Sequence, residues 1–116
     1  MTSKKNSNAA ERFIFTASDE ELLDELDVVV ARATQGDSRA VGAVAIGFGP
    51  MLMSTARSEL GELWQENAGD VVQEFHVRLL TGQLMFPRIR GAAIPWMKRV
   101  VRGIAREQLG EEEYQH

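Results

Sequence analysis

Two acidic side chains, Asp70 and Glu74, are four residues apart, a spacing that places both carboxylates on one face of a helix. Such a pair can hold a metal ion or transfer protons only if further groups converge on it. The chain has two histidines, His76 and His116, and no cysteine. A multi-histidine or thiolate metal site and a histidine-centred triad are therefore excluded. With no glycine-rich phosphate loop ending in Lys-Ser or Lys-Thr either, we expect no enzymatic activity and no cofactor.

The second group of chemically informative residues is a basic segment. Residues 1–74 hold 13 acidic and 6 basic residues, residues 75–106 hold 7 basic and no acidic residues, and residues 107–116 hold 4 acidic residues. The net charge of −4 hides this division, and local fields steer association with phosphate groups. Charge alone leaves a solvated basic helix face as the alternative. The seven basic residues are Arg78, Arg88, Arg90, Lys98, Arg99, Arg102 and Arg106.

Length and composition limit what can position these groups. A chain of 116 residues suits one domain, and 44% hydrophobic with 26% charged residues is typical of a globular protein. No apolar run approaches the roughly 18 residues that a membrane span needs. The N-terminus carries no apolar segment of the kind found in secretory signals. We therefore expect a cytoplasmic protein without a membrane partner.

The chain is helical in pattern throughout, which predicts an all-α fold, a compact bundle of about four helices. Residues 1–17 are polar and predict a flexible N-terminal arm, although Phe13, Ile14 and Phe15 leave room for packing. Residues 18–109 predict the helical domain. Residues 110–116 form an acidic tail.

The first two helices have clear local signals. Ser18 and Glu21 form a capping-box pattern, which predicts a helix start near Asp19. Gly36 is suited to end this helix and Asp37 to cap the next. The second helical stretch contains three glycines and Pro50, which predict a weakened stretch with a kink at the proline.

The last two helices flank a loop. Asn67 is placed to cap a third helix that runs through Thr81 and ends at Gly82. Glycines, a proline and two arginines in residues 82–94 predict a loop. Pro95 then predicts the start of a fourth helix that ends at about Gln108.

Three segments of the chain together resemble bacterial RNA polymerase sigma factors. Residues 33–40 are similar to the Gly-Asp turn between two helices of the family. Its signature of Asp-x-x-Gln-Glu followed by aromatic and aliphatic residues is matched by Asp70, Gln73, Glu74, Phe75, Val77 and Leu79. A tryptophan, Trp96, opens a basic amphipathic stretch, as in the promoter-reading helix. The resemblance covers about residues 24–108 and is closest to the second conserved region (domain 2) of the extracytoplasmic-function group.

This resemblance implies two surfaces. Asp70, Gln73 and Glu74 would bind core RNA polymerase, at the clamp helices of its β′ subunit. The loop and the last helix would engage the non-template strand of the −10 promoter element. For Phe86 two roles stay open, a face for an extruded base or a core side chain, whereas Trp96 is expected in the core. The candidate DNA-binding residues are Phe86, Arg88, Arg90, Lys98, Arg99, Arg102 and Arg106.

Departures from the family pattern keep other readings open. Gly103 stands where the family has asparagine, Glu107 stands where an aspartate is usual, and the acidic ends are placed to screen the basic stripe. If the chain is complete, a separate domain 4 partner would have to read the distal promoter element. The alternatives are a sigma mimic that binds an anti-sigma factor and a plain helical protein-interaction module.

Overall fold

The computed structural model describes residues 24–115, with side chains described as far as Gly110. Within this range the chain is an all-α bundle without strands, which confirms the predicted fold class. The predicted flexible arm, the start near Asp19 and the capping box of Ser18 and Glu21 lie outside the described residues. The elements are α1 (Glu25–Ala33), α2 (Ser38–Leu60), a 3₁₀-helix (Glu62–Asn67), α3 (Ala68–Leu80) and α4 (Ala93–Gln115).

Helix α1 begins at a capping box of its own. Asp24 is extended, with φ −82° and ψ 176°, and its carboxylate accepts the backbone N–H of Asp27, while the Asp27 carboxylate accepts that of Asp24. The helix end was predicted correctly: Gly36 has φ +83°, and the Asp37 carboxylate accepts the N–H groups of Arg39 and Ala40 at the start of α2.

Helix α2 is one element of 23 residues, so the predicted weakening at its glycines does not divide it. A proline in a helix removes one backbone hydrogen bond and leaves the carbonyl four residues earlier without its donor. Here that carbonyl belongs to Ile46. Both Pro50 and Ile46 are exposed, so water can satisfy the carbonyl, and buried side chains before and after the proline, such as Val44 and Leu52, hold the two halves in the core.

The same helix is the central one of the bundle. It packs against α1, α3 and α4. By length and composition alone it is also apolar enough to cross a membrane. Core helices of globular bundles share that property, and this helix contacts all three others, with 33% of its most apolar stretch buried.

Helix α3 has nearly the predicted bounds, but it starts differently. Asn67 occupies the cap position without a side-chain hydrogen bond to the helix, so its predicted capping role is wrong. The 3₁₀-helix Glu62–Asn67 leads directly into α3 and takes the place of a cap. At the other end Gly82, with φ +72°, follows Leu80 and Thr81 as predicted.

Helix α4 is longer than predicted at both ends. It begins at Ala93, two residues before Pro95, and its backbone continues to Gln115, past the predicted end at about Gln108. The predicted acidic tail therefore starts within the helix. The early start has a long-range cause, because the buried carboxylate of Asp27 accepts the N–H of Ala93.

The core lies between α2, α3 and α4 and includes an aromatic cluster. Trp96 is 6% exposed, which confirms its predicted core position. Its ring lies 5.4 Å from that of Phe86, nearly perpendicular, and 6.3 Å from that of Phe75. Such edge-to-face contacts add to the burial of apolar area. This cluster joins the loop after α3 to the first turn of α4.

Candidate functional site

The outward face of α3 carries the residues matched to polymerase binding. Val71, Phe75 and Leu79 are buried on the opposite side, and this apolar stripe turns Asp70 and Gln73 into solvent, where both are exposed. Asp70 lies in the first turn, where the positive helix end stabilises a carboxylate. Within the described residues neither side chain has a hydrogen-bonded or charged partner, so both are available to a partner protein.

Glu74 differs from the other two because it is already paired. Its carboxylate accepts the Nε–H of Arg78 at 2.8 Å, and the other side of that guanidinium donates to Glu107 of α4 at 2.7 Å. The hydrogen bonds with Glu107 and Glu74 raise the pKa of Arg78. This triad links α3 to α4, and Glu74 must share or release Arg78 to bind a partner.

Two apolar residues extend the α3 face beyond the predicted polar set. Val77 is 40% exposed and Leu80 is 48% exposed, and with Gln73 they follow a spacing of four and three residues on one side of the helix. Exposed aliphatic groups beside polar ones are typical of protein interfaces. Sequence reasoning recorded Val77 as a motif match and missed Leu80, although the spacing from Gln73 signals both.

His76 lies on α3 at the border between core and solvent. Its ring centroid is 5.6 Å from that of Phe75, and its Nε2 is buried with no hydrogen-bond partner among the described residues. Burial lowers the pKa of His76, because the charged imidazolium loses its hydration. The side chain is therefore neutral near pH 7 and adds no charge to this part of α3.

The outward face of α4 is a basic stripe, defined by Lys98, Arg99, Arg102 and Arg106. Spacings of three and four residues place them on adjacent positions opposite the buried Met97 and Val101. Lys98 is half-buried and the three arginines are exposed.

A carboxylate of α2 neutralises one end of the basic stripe. Arg106 donates to Glu59 of α2 at 2.8 Å. Glu107, the first acid after the basic segment, instead extends toward Arg78 of α3. In the described part of the chain, Lys98, Arg99 and Arg102 have no carboxylate within 4.0 Å.

The loop between α3 and α4 presents a second set of candidate side chains. Phe86 is 4% exposed and packs on Trp96, so of the two roles left open for it the structure shows the core one. Arg88 and Arg90 are exposed at the loop surface. Two exposed apolar residues accompany them, Met85 at 85% and Ile89 at 61%.

Sequence reasoning missed these two loop residues as candidate contacts for a ligand. For Ile89 the signal is the basic-apolar-basic order of residues 88–90. Arg88 has φ +60°, an uncommon conformation for a residue with a side chain. Such strain persists only where the surroundings impose it, and it is frequent at binding sites.

The described residues contain no group of three acidic, histidine or cysteine side chains able to hold a metal ion. Comparisons of the chain with protein-family models, with curated proteins and with solved structures give no match. The candidate binding surfaces are therefore two outward faces. The one on α3 combines polar and apolar side chains, and the one on α4 is basic.

Proposed function

We propose that this chain is a sigma-factor-like transcription initiation domain. It binds core RNA polymerase, through the β′ clamp helices, with the outward face of α3. It engages the non-template strand of the −10 promoter element with the loop and the basic stripe of α4. The observation that carries the proposal is a polar face on α3 and a basic face on α4, on which most of the charged side chains have no ion pair among the described residues. The two faces match in position the two segments of the sigma resemblance.

The α3 face suits a protein partner. Asp70 and Gln73 offer oxygen acceptors on a rigid helix, to which arginines of a coiled coil can donate. Val77 and Leu80 add apolar contact area beside them. Glu74 contributes less than its place in the motif implies, because Arg78 already occupies it.

The α4 face suits a phosphate backbone. Lys98, Arg99 and Arg102 lie within about one and a half turns, without a neutralising carboxylate among the described residues. For a single strand, each phosphate contact steepens the salt dependence of binding by about 0.7 in log K per log unit of salt. Three contacts therefore predict a loss of affinity of about 20-fold between 50 and 200 mM salt.

The test is binding of the chain to purified core polymerase, followed by binding to a single-stranded −10 oligonucleotide. Asp70→Ala/Gln73→Ala should abolish polymerase binding and leave oligonucleotide binding within about twofold. Lys98→Gln/Arg102→Gln should weaken oligonucleotide binding and flatten its salt dependence by about 1.4 in slope. Oligonucleotide affinity that is independent of salt, or polymerase binding that survives the α3 double substitution, refutes the proposal.

One observation favours the sigma mimic as a second candidate. Two of the seven basic side chains, Arg78 and Arg106, are neutralised within the bundle, whereas the α3 protein-binding face stays open. A chain that binds an anti-sigma factor in the same assay, but neither polymerase nor oligonucleotide, has this second function.

A further inference from the structure

Asp27 is a buried carboxylate that no part of the proposed function uses directly. It lies in the first turn of α1 and is 0% exposed. A buried charge is costly unless hydrogen bonds replace its hydration. Asp27 has three such bonds, all from backbone N–H groups: Gly91 at 2.8 Å, Ala93 at 3.2 Å and Asp24 at 3.3 Å.

Two of these donors lie more than sixty positions further along the chain, at the junction between the loop and α4. Ala93 is the first residue of α4, so Asp27 caps that helix from another element, at the end where unsatisfied N–H groups favour an anion. Gly91 precedes it with φ +79°, a conformation that glycine adopts without strain. The carboxylate therefore fixes both the direction of α4 and the end of the loop.

An exposed segment of the loop, residues 87–90, lies between two fixed points. Phe86 is buried against Trp96 on one side, and Gly91 is held by Asp27 on the other. The residues between them, 87–90, are all exposed, and they include Arg88 in its strained left-handed conformation. Two anchors with four residues between them help to impose such a conformation.

We propose that Asp27 is a positioning residue for nucleic-acid binding: its carboxylate pre-orders loop 87–90 at the N-terminal end of α4, the helix that carries the basic stripe. The proposal rests on the proposed function, because it assigns the ordered loop to the single DNA strand. A loop that is ordered before binding loses less conformational entropy in the complex, which strengthens affinity without any contact between Asp27 and DNA.

The first test measures, without DNA, whether Asp27 holds the backbone at Gly91 and Ala93. Hydrogen exchange at the Gly91 and Ala93 amides, followed by NMR, should be slow in the wild-type chain and at least tenfold faster in Asp27→Asn. The amide group of asparagine presents one acceptor and one donor where three N–H groups need acceptors. Exchange at Phe75, in the core of α3, should stay unchanged in the variant. Equal exchange rates at the Gly91 and Ala93 amides in the wild-type chain and in Asp27→Asn refute the anchoring role of Asp27.

The second test measures its consequence. Asp27→Asn should weaken binding of a single-stranded −10 oligonucleotide by tenfold or more, with binding to core polymerase within twofold of wild type. Val44→Ala, a buried truncation in α2, is the control for general loss of stability and should leave oligonucleotide affinity unchanged. If Asp27→Asn does not fold, Gly91→Ala strains the same anchor from the loop side, where an added Cβ has no neighbour within 4 Å, and should weaken oligonucleotide binding in the same way.

The outcomes separate the two proposals. Wild-type chain that binds no oligonucleotide overturns the proposed DNA function and the positioning role together. Wild-type binding combined with unchanged binding by Asp27→Asn or Gly91→Ala overturns the positioning role alone.

Discussion

Replacement of Phe86 by alanine decides whether this ring belongs to the core or to the DNA surface. The side chain is 4% exposed and makes an edge-to-face contact with Trp96. Truncation of a buried phenylalanine costs about 3–5 kcal/mol, and the lower end applies because a loop can partly close the cavity. A loss of about 3 kcal/mol lowers the melting temperature of a domain of this size by roughly 12–24 °C.

The assay is thermal unfolding followed by circular dichroism, with Met85→Ala as the matched control. Met85 is the preceding residue and is 85% exposed, so its truncation should change stability by less than about 0.5 kcal/mol. Oligonucleotide binding is then compared at a temperature at which all three proteins are folded. A Phe86→Ala variant that melts like wild type but loses oligonucleotide affinity would show that the ring contacts bases, contrary to the structure.

Two further predictions concern single positions in α4 and α3. Gly103→Ala should stabilise the domain by about 1 kcal/mol in urea unfolding. Gly103 is inside a helix, and an added Cβ meets nothing within 4 Å. The control is Gly82→Ala, which should destabilise the domain because Gly82 has φ +72°. His76 should make stability fall as pH drops below about 6.5, because the unfolded chain takes up a proton there while burial lowers the pKa of the folded side chain. His76→Gln should flatten this dependence between pH 7.5 and 5.5, and an unchanged slope in this variant contradicts the assignment.

The features predicted correctly from sequence are those that local interactions determine. Gly36 and Gly82 end helices because positive φ favours glycine, and Asp37 caps α2 through N–H groups two and three residues away. The limits of α3 follow from its apolar periodicity and the glycine after it. The polar face of α3 was predictable for the same reason, since a buried stripe on one side of a helix leaves the other side to solvent.

Long-range contacts determine several features of the fold that the sequence did not predict. Helix α4 starts at Ala93 and not at Pro95 because Asp27, in a different helix, supplies its cap. Helix α2 stays continuous because core packing on both sides of Pro50 outweighs the weak helix propensity of its glycines. The sequence left two roles open for Phe86. The choice between them depends on the position of Trp96, which lies ten residues further along the chain and on another element.

The fold also changes the meaning of the basic segment. By composition residues 75–106 offer seven positive charges, but two of them serve the bundle: Arg78 ties α3 to α4, and Arg106 ties α4 to α2. Glu107, five residues after Arg102, pairs with Arg78 on the side of α4 that faces α3. Of the basic stripe, Lys98, Arg99 and Arg102 have no carboxylate within 4.0 Å among the described residues. Because Arg78 also engages Glu74, both the link between α3 and α4 and the availability of one carboxylate on the outward face of α3 depend on this arginine.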